Sequence, residues 1–188
     1  MRRTWTRYAF GVAALALALA SGSAAAWQCD FLTGGGFIVR DTGAKANFGV
    51  GGGCKDGSPT WGHLEYIDHG IGLNVHWTSI TAYMEIDSSA DANGRPTGAR
   101  FICGTARTNL VGDVDWVVEA RDTGEPGVDD QFTIRLTQSG VIVYTTEFDS
   151  DHTLGGSGPG GGNIQLHKPN PSTTGSFGGS CPALSVEG

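Results

Sequence analysis

Four carboxylates fall within nine residues at Asp122-Thr-Gly-Glu-Pro-Gly-Val-Asp-Asp130, in a stretch bent by Gly124, Pro126 and Gly127. Calcium takes about six to eight oxygen ligands, which carboxylates and turn carbonyls can supply together. Asp122, Glu125, Asp129 and Asp130 are therefore the metal-ligand candidates, for a structural calcium ion. Their spacing does not follow the helix-flanked calcium loop. The competing reading is an acidic hairpin turn in which Asp122 bonds nearby amides.

A second set lies in Trp61-Gly-His-Leu-Glu-Tyr-Ile-Asp-His69, followed by His76. On an extended strand His63 and Glu65 share one face, and His69 falls at the strand end. Two histidines and a carboxylate can bind zinc, but one strand supplies only part of such a site. In Gly162-Asn-Ile-Gln-Leu-His167, Asn163, Gln165 and His167 also line one face. Amides and imidazoles bond sugar hydroxyls, and Trp61 or Tyr66 can stack on a pyranose ring. Trp61, His63, Glu65, Asn163, Gln165 and His167 are the ligand-binding candidates. The plainer reading is that alternation alone gives strands a polar outer face.

Other chemistries find little support. No serine sits in a strand-to-helix nucleophile elbow, because Gly156-Ser157-Gly158 lies in a glycine-rich loop. Carboxylate pairs for glycoside hydrolysis can be drawn among Glu65, Glu85, Asp87, Asp113, Asp115 and Glu119, as they can in any chain with 19 acids. The glycine triplets at 34–36, 51–53 and 160–162 open no helix and lack the lysine of a phosphate loop, so they read as strand corners.

The elements that must position these groups are strands. Period-two alternation dominates, and outside the leader no stretch holds a helical period. Gln131–Thr137 turns Phe132, Ile134 and Leu136 to one face, Gly112–Glu119 turns Val114, Trp116 and Val118, and Gly162–His167 turns Ile164 and Leu166. From Leu73 the apolar set runs Leu73, Val75, Trp77 and then Ile80, Ala82, Met84, Ile86; the phase slips at Thr78-Ser79, which predicts a β-bulge or a tight bend. Phe37, Phe48, Leu64, Tyr66, Phe101, Ile142 and Tyr144 complete the expected core. About nine short strands with regular turn signals predict an all-β fold: a single antiparallel β-sandwich, or barrel-like, domain linked by disulfides.

Met1 to Ala26 reads as a secretory signal peptide, with Arg2, Arg3 and Arg7, an apolar run from Ala9 to Ala20 and small residues before Trp27. The run is too short for a permanent anchor. Trp27-Gln28 before Cys29 argues against lipid attachment, and paired cysteines favour general secretion over the twin-arginine route. The expected organisation is a signal peptide at 1–26, a secreted domain at 27–169 and an irregular tail at 170–188, tied back at Cys181. Without the leader the chain has 9 Lys+Arg against 19 Asp+Glu, a formal charge of −10. That balance excludes bulk-charge binding to nucleic acid or an anionic membrane. Four cysteines in an exported chain predict two bridges among three pairings. Cys29 with Cys181 would fasten the two ends, leaving Cys54 with Cys103.

Several runs in order resemble a known family: Cys29-Asp-Phe-Leu-Thr-Gly-Gly-Gly-Phe-Ile38, Ala44-Lys-Ala-Asn-Phe-Gly49, Trp61 to His69, Ile102-Cys-Gly-Thr-Ala-Arg-Thr-Asn109, Asp122 to Asp130, and Gly160 to Asn170. Together they look like secreted bacterial domains of unassigned function, found alone or behind choice-of-anchor surface modules. The resemblance covers nearly the whole processed chain. It implies an extracellular all-β domain and carries over no catalytic residue. The function expected from these readings is a secreted, non-catalytic interaction module whose partner is an extracellular glycan or a cell-surface protein. Its rivals are a hydrolase acting on an extracellular polymer and a purely structural surface domain.

Overall fold

The structure, a computed structural model, describes residues 29–158 and 160–186; the leader expected at 1–26 lies outside the described residues. Ten strands follow one another: β1 (Phe31–Val39), β2 (Lys45–Lys55), β3 (Ser58–Asp68), β4 (Leu73–Ala90), β5 (Pro96–Thr108), β6 (Gly112–Asp122), β7 (Gln131–Gln138), β8 (Val141–Thr145), β9 (Gly162–His167) and the two-residue β10 (Gly178–Gly179). A 3-10 turn at Pro182–Ser185 ends the described chain. Among the described residues no helix is long and apolar enough to cross a membrane.

One antiparallel sheet runs in the order β8-β7-β6-β5-β4-β3-β2-β1-β9, with β10 paired to β4. The expected all-β, disulfide-linked domain is thus present, in its barrel-like form: a single sheet curled on itself. Hairpin chemistry explains the meander. Asp56-Gly57 between β2 and β3 and Ser139-Gly140 between β7 and β8 both have positive φ at two successive residues. Such turns match the right-handed twist of the strands they join. Curling brings distant strands together, and Phe48 of β2 stacks on Phe132 of β7 at 3.9 Å between ring centroids. Leu32, Ile38, Val50, Leu64, Tyr66, Ile102, Trp116, Ile134 and Leu136 fill the rest of the interior, each fully buried. Gly104 lies under the Trp116 indole, where a Cβ would come within 2.7 Å of the ring.

Polar groups close the curl. The chain after β8 runs beside β7, where Phe132 N donates to His152 O and Leu154 N to Asp130 O, and then reaches β1 through Gly155 N to Phe37 O. At one mouth Arg40 bonds Asp68 at 2.7 Å, Tyr144 at 2.5 Å and also Asp149, while the Tyr66 and Tyr144 hydroxyls meet at 2.5 Å. Burial holds both tyrosine hydroxyls well above their ordinary pKa, so they stay protonated. Elsewhere Arg100, buried within the barrel, pairs with Asp30 at 2.5 Å.

Several expectations need correction. The bridges are Cys29–Cys54 and Cys103–Cys181, with Cα–Cα distances of 5.7 and 5.4 Å, not Cys29–Cys181 and Cys54–Cys103. Pairing of Phe31 with Gly53 sets Cys29 beside Cys54 across one hairpin. The C-terminal segment does not return to the N-terminal one but folds over the outer face of the sheet. There Ala183, with Cys181 and Leu184, covers Ala82, Cys103 and Val117 in a second apolar cluster, so the tail is held by more than its cysteine. Met84 and Phe101 belong to that outer cluster rather than to the interior. β4 bulges at Thr78 as expected, but again between Ile80 and Ala82, which turns Tyr83 inward. Phe37 also faces outward, with the Lys45 ammonium 4.3 Å from its ring centroid, while Leu32 and Ile38 point in.

Candidate functional site

Strand register brings all six ligand-binding candidates onto one outer face. Three rows cross β9, β1, β2 and β3 in turn: His167–Phe31–Gly53–Trp61, Gln165–Thr33–Gly51–His63 and Asn163–Gly35–Gly49–Glu65. Each row holds one candidate on β9 and another on β3, three strand spacings or about 14 Å apart. Between them the outward positions of β2 are glycines at 49, 51 and 53. A Cβ at Gly49 would meet nothing within 4 Å, so packing does not demand glycine there. Glycine in a strand interior weakens the strand and often marks close approach by another group. At Gly51 a Cβ would come within 3.0 Å of the His63 ring and at Gly53 within 2.5 Å of Phe31, so the floor is open at Gly49 while His63 and Phe31 lie over the other two glycines.

One end of the floor is aromatic. Phe31 stacks on His167 at 4.3 Å between ring centroids, and Trp61 stands edge-on to Phe31 at 6.1 Å. The Lys55 ammonium lies 3.8 Å from the Trp61 ring centroid. Thr33 Oγ1 and His167 Nε2 are hydrogen-bonded at 2.9 Å. Burial pushes the His167 imidazole below its usual pKa, which keeps it neutral at pH 7. At the other end Glu65 meets His76 Nδ1 at 2.5 Å, and His69 bonds Asn47 at 2.8 Å. His63 and Glu65 are both exposed. The zinc set read from these residues is not assembled: Glu65 pairs with His76 and His69 with Asn47, and among the described residues no three such side chains are grouped.

The acidic loop joins this face at its β9 side. Among the described residues no strand lies beyond β9 to receive its outer N–H groups, and two aspartates take that role. Asp122, the last residue of β6, accepts Leu166 N at 2.7 Å through one oxygen and Gly124 N at 2.7 Å through the other. Asp130, fully buried just before β7, accepts Ile164 N at 2.7 Å, Thr123 N at 2.9 Å and the Thr123 hydroxyl at 3.1 Å. Burial pushes both carboxyls above the ordinary aspartate pKa, although the amide bonds pull them back. Glu125 accepts from Gln165 Nε2 at 3.0 Å and from Asn163 Nδ2 at 3.4 Å.

This arrangement does not fit calcium. Both oxygens of Asp122 and of Asp130 already serve amides, Glu125 serves two carboxamides, and Asp129 lies exposed outside the set. Among the described residues no three His, Cys, Asp or Glu side chains are grouped to hold a metal ion. The loop acts as a clasp for the edge of the sheet. Sequence reading missed Phe31, Thr33 and the glycine floor. Its one visible signal is glycine at every second position from 49 to 53, a period that fits one strand face. The chain matches no protein-family model, no curated protein and no solved structure.

Proposed function

We propose that this chain is a secreted, non-catalytic β-domain that binds an extracellular glycan through the outer face of β9, β1, β2 and β3. The observation that carries the reading is the set of three register rows, in which amides, imidazoles, a carboxylate and the Phe31 and Trp61 rings share one face whose β2 positions are all glycine. A flat aromatic ring face and fixed amide groups match the two sides of a pyranose, its CH face and its hydroxyls. The leader sequence and two disulfides support an extracellular setting. Hydrolysis is the weaker reading, because the buried acids serve other groups: Asp30 pairs with Arg100, Asp68 with Arg40, and Asp122 and Asp130 with backbone amides. A catalytic acid is a carboxyl poised to meet substrate.

The test is an array of neutral and charged glycans probed with the processed chain and with Trp61→Ala. Binding to a neutral pyranose polymer, weakened at least tenfold by the substitution, is the expected result. Binding unaffected by Trp61→Ala, or release of shorter products during incubation, would overturn the proposal.

A further inference from the structure

The three rows do not stop at β3. The third continues by direct pairing from Glu65 to His76 on β4, Arg107 on β5 and Asp113 on β6. Counted from Asn163 on β9, this row crosses six strand spacings, about 29 Å along the sheet. Beside it a second stretch of outward positions runs Ser79–Thr105–Asp115–Thr137 over β4, β5, β6 and β7. Neither stretch carries an aliphatic side chain. One step further along the same strands the outward positions are Cys103 and Val117, and there the C-terminal segment covers the sheet. The tail therefore seals the apolar part of this outer face and leaves the polar part bare.

The part the tail leaves uncovered is concave, with Thr137 buried at its floor. Thr78, Thr105, Arg107, Asp113, Asp115 and Thr137 line a trough of about 460 Å³. The Thr78 and Thr105 hydroxyls are fixed in place. The bulge between Trp77 and Ser79 sets two successive β4 residues against one on β5. Thr105 Oγ1 consequently lies 2.7 Å from both Thr78 Oγ1 and Ser79 Oγ. Bulges of this kind re-aim side chains and recur beside functional sites.

We infer that the trough is the second half of one binding surface, so that the ligand is a chain of several neutral sugar units lying across the strands rather than a single terminal sugar. The inference rests on the glycan reading above. Its class follows from the groups on the page. Hydroxyls, carboxylates and one guanidinium suit a polyhydroxylated chain, while a formal charge of −10 over the residues after Ala26 repels a polyanion. A short ligand could occupy the Trp61 floor alone. Only a longer one reaches past His76 to Thr105.

The experiment is calorimetric titration of the processed chain with two-unit and six-unit oligomers of cellulose and, in parallel, of chitin. At least one six-unit oligomer should bind tenfold or more tightly than its two-unit counterpart. Thr105→Val with Asp115→Asn should erase that gain while lowering the melting temperature by only a few degrees, because the freed Thr78 and Ser79 hydroxyls can turn to water. Arg107→Ala, at an exposed rim position, is the second variant and should lower only the six-unit affinity. Equal affinity for both lengths, or a length gain that survives these substitutions, would overturn the inference and leave the glycan reading standing. Binding of neither length by the unmodified chain would overturn both.

Discussion

Replacing Asp130 with alanine removes the acceptor for three donors at once, the Ile164 and Thr123 amides and the Thr123 hydroxyl. The Ile164 amide is buried and has no water to turn to, so its unmet bond costs about 1–3 kcal/mol. The Thr123 amide is only partly buried, and water can replace much of what it loses. Removing a desolvated carboxylate returns some free energy, which argues against adding the three bonds at full value. A net loss of about 2–4 kcal/mol follows, a large share of the ~5–15 kcal/mol that holds a domain together. For a chain of this size that is a fall in melting temperature on the order of 10 °C. Asp130→Asn keeps one acceptor oxygen but turns an NH2 toward one of the two amides, so it should fall between alanine and the unmodified protein. Asp129→Ala, one residue away and exposed, should stay within about 0.5 kcal/mol. The assay is thermal unfolding followed by circular dichroism at pH 7, with hydrogen exchange at Ile164 as a local readout. An Asp130→Ala protein that melts with the unmodified one, its Ile164 amide equally protected, would refute the clasp.

Further outcomes follow from the same geometry. Melts in EDTA and in millimolar calcium should coincide, because the carboxylate oxygens of Asp122 and Asp130 already face amides; a calcium-dependent rise would show that the loop rearranges to bind the ion. Carbon-detected titration should give Asp122 and Asp130 midpoints above 3.8. A raised carboxyl pKa stabilises the fold most below the unfolded value, so these two groups should contribute less as pH climbs from about 4 through their folded midpoints, and Asp130→Asn should flatten that slope. Serine at both Cys103 and Cys181 should cost about 4.5 kcal/mol from a loop of 78 residues, and serine at both Cys29 and Cys54 about 3.5 kcal/mol from one of 25, by loop entropy. Non-reducing peptide maps linking Cys29 to Cys181 would contradict the observed pairing.

How much of this was legible depended on whether a neighbour lay nearby in sequence. Strands β6, β7 and β9 were visible because Val114, Trp116, Phe132, Ile134, Ile164 and Leu166 alternate cleanly with polar residues, and a half-buried sheet demands that. The slip at Thr78-Ser79 was visible for the same reason. Met84 and Phe101 were assigned to the wrong side because the distant tail buries a second, outer face there, and alternation does not say which face is covered by what. Phe37 misled as a large apolar residue whose phase is set by Leu32 and Ile38. The four acids of the 122–130 loop were conspicuous as charges, but their partners on β9 lie more than thirty residues away and are backbone amides, which leave no mark in a sequence. The binding candidates on β3 and β9 were each legible as a polar strand face. Their union was not, since it depends on β1 and β2 lying between them.

The most direct test of the proposed glycan-binding face is an amide chemical-shift titration of the isotope-labelled chain from residue 27 onward with a six-unit cellulose or chitin oligomer. The proposed function predicts saturable shifts in β9, β1, β2 and β3 around Gly49, Gly51, Trp61 and His63, together with the Trp61 indole signal, and a six-unit oligomer should extend them into the adjoining trough at Thr105 and Asp115. No shifts at saturating oligomer, or shifts confined to other parts of the sheet, would contradict it.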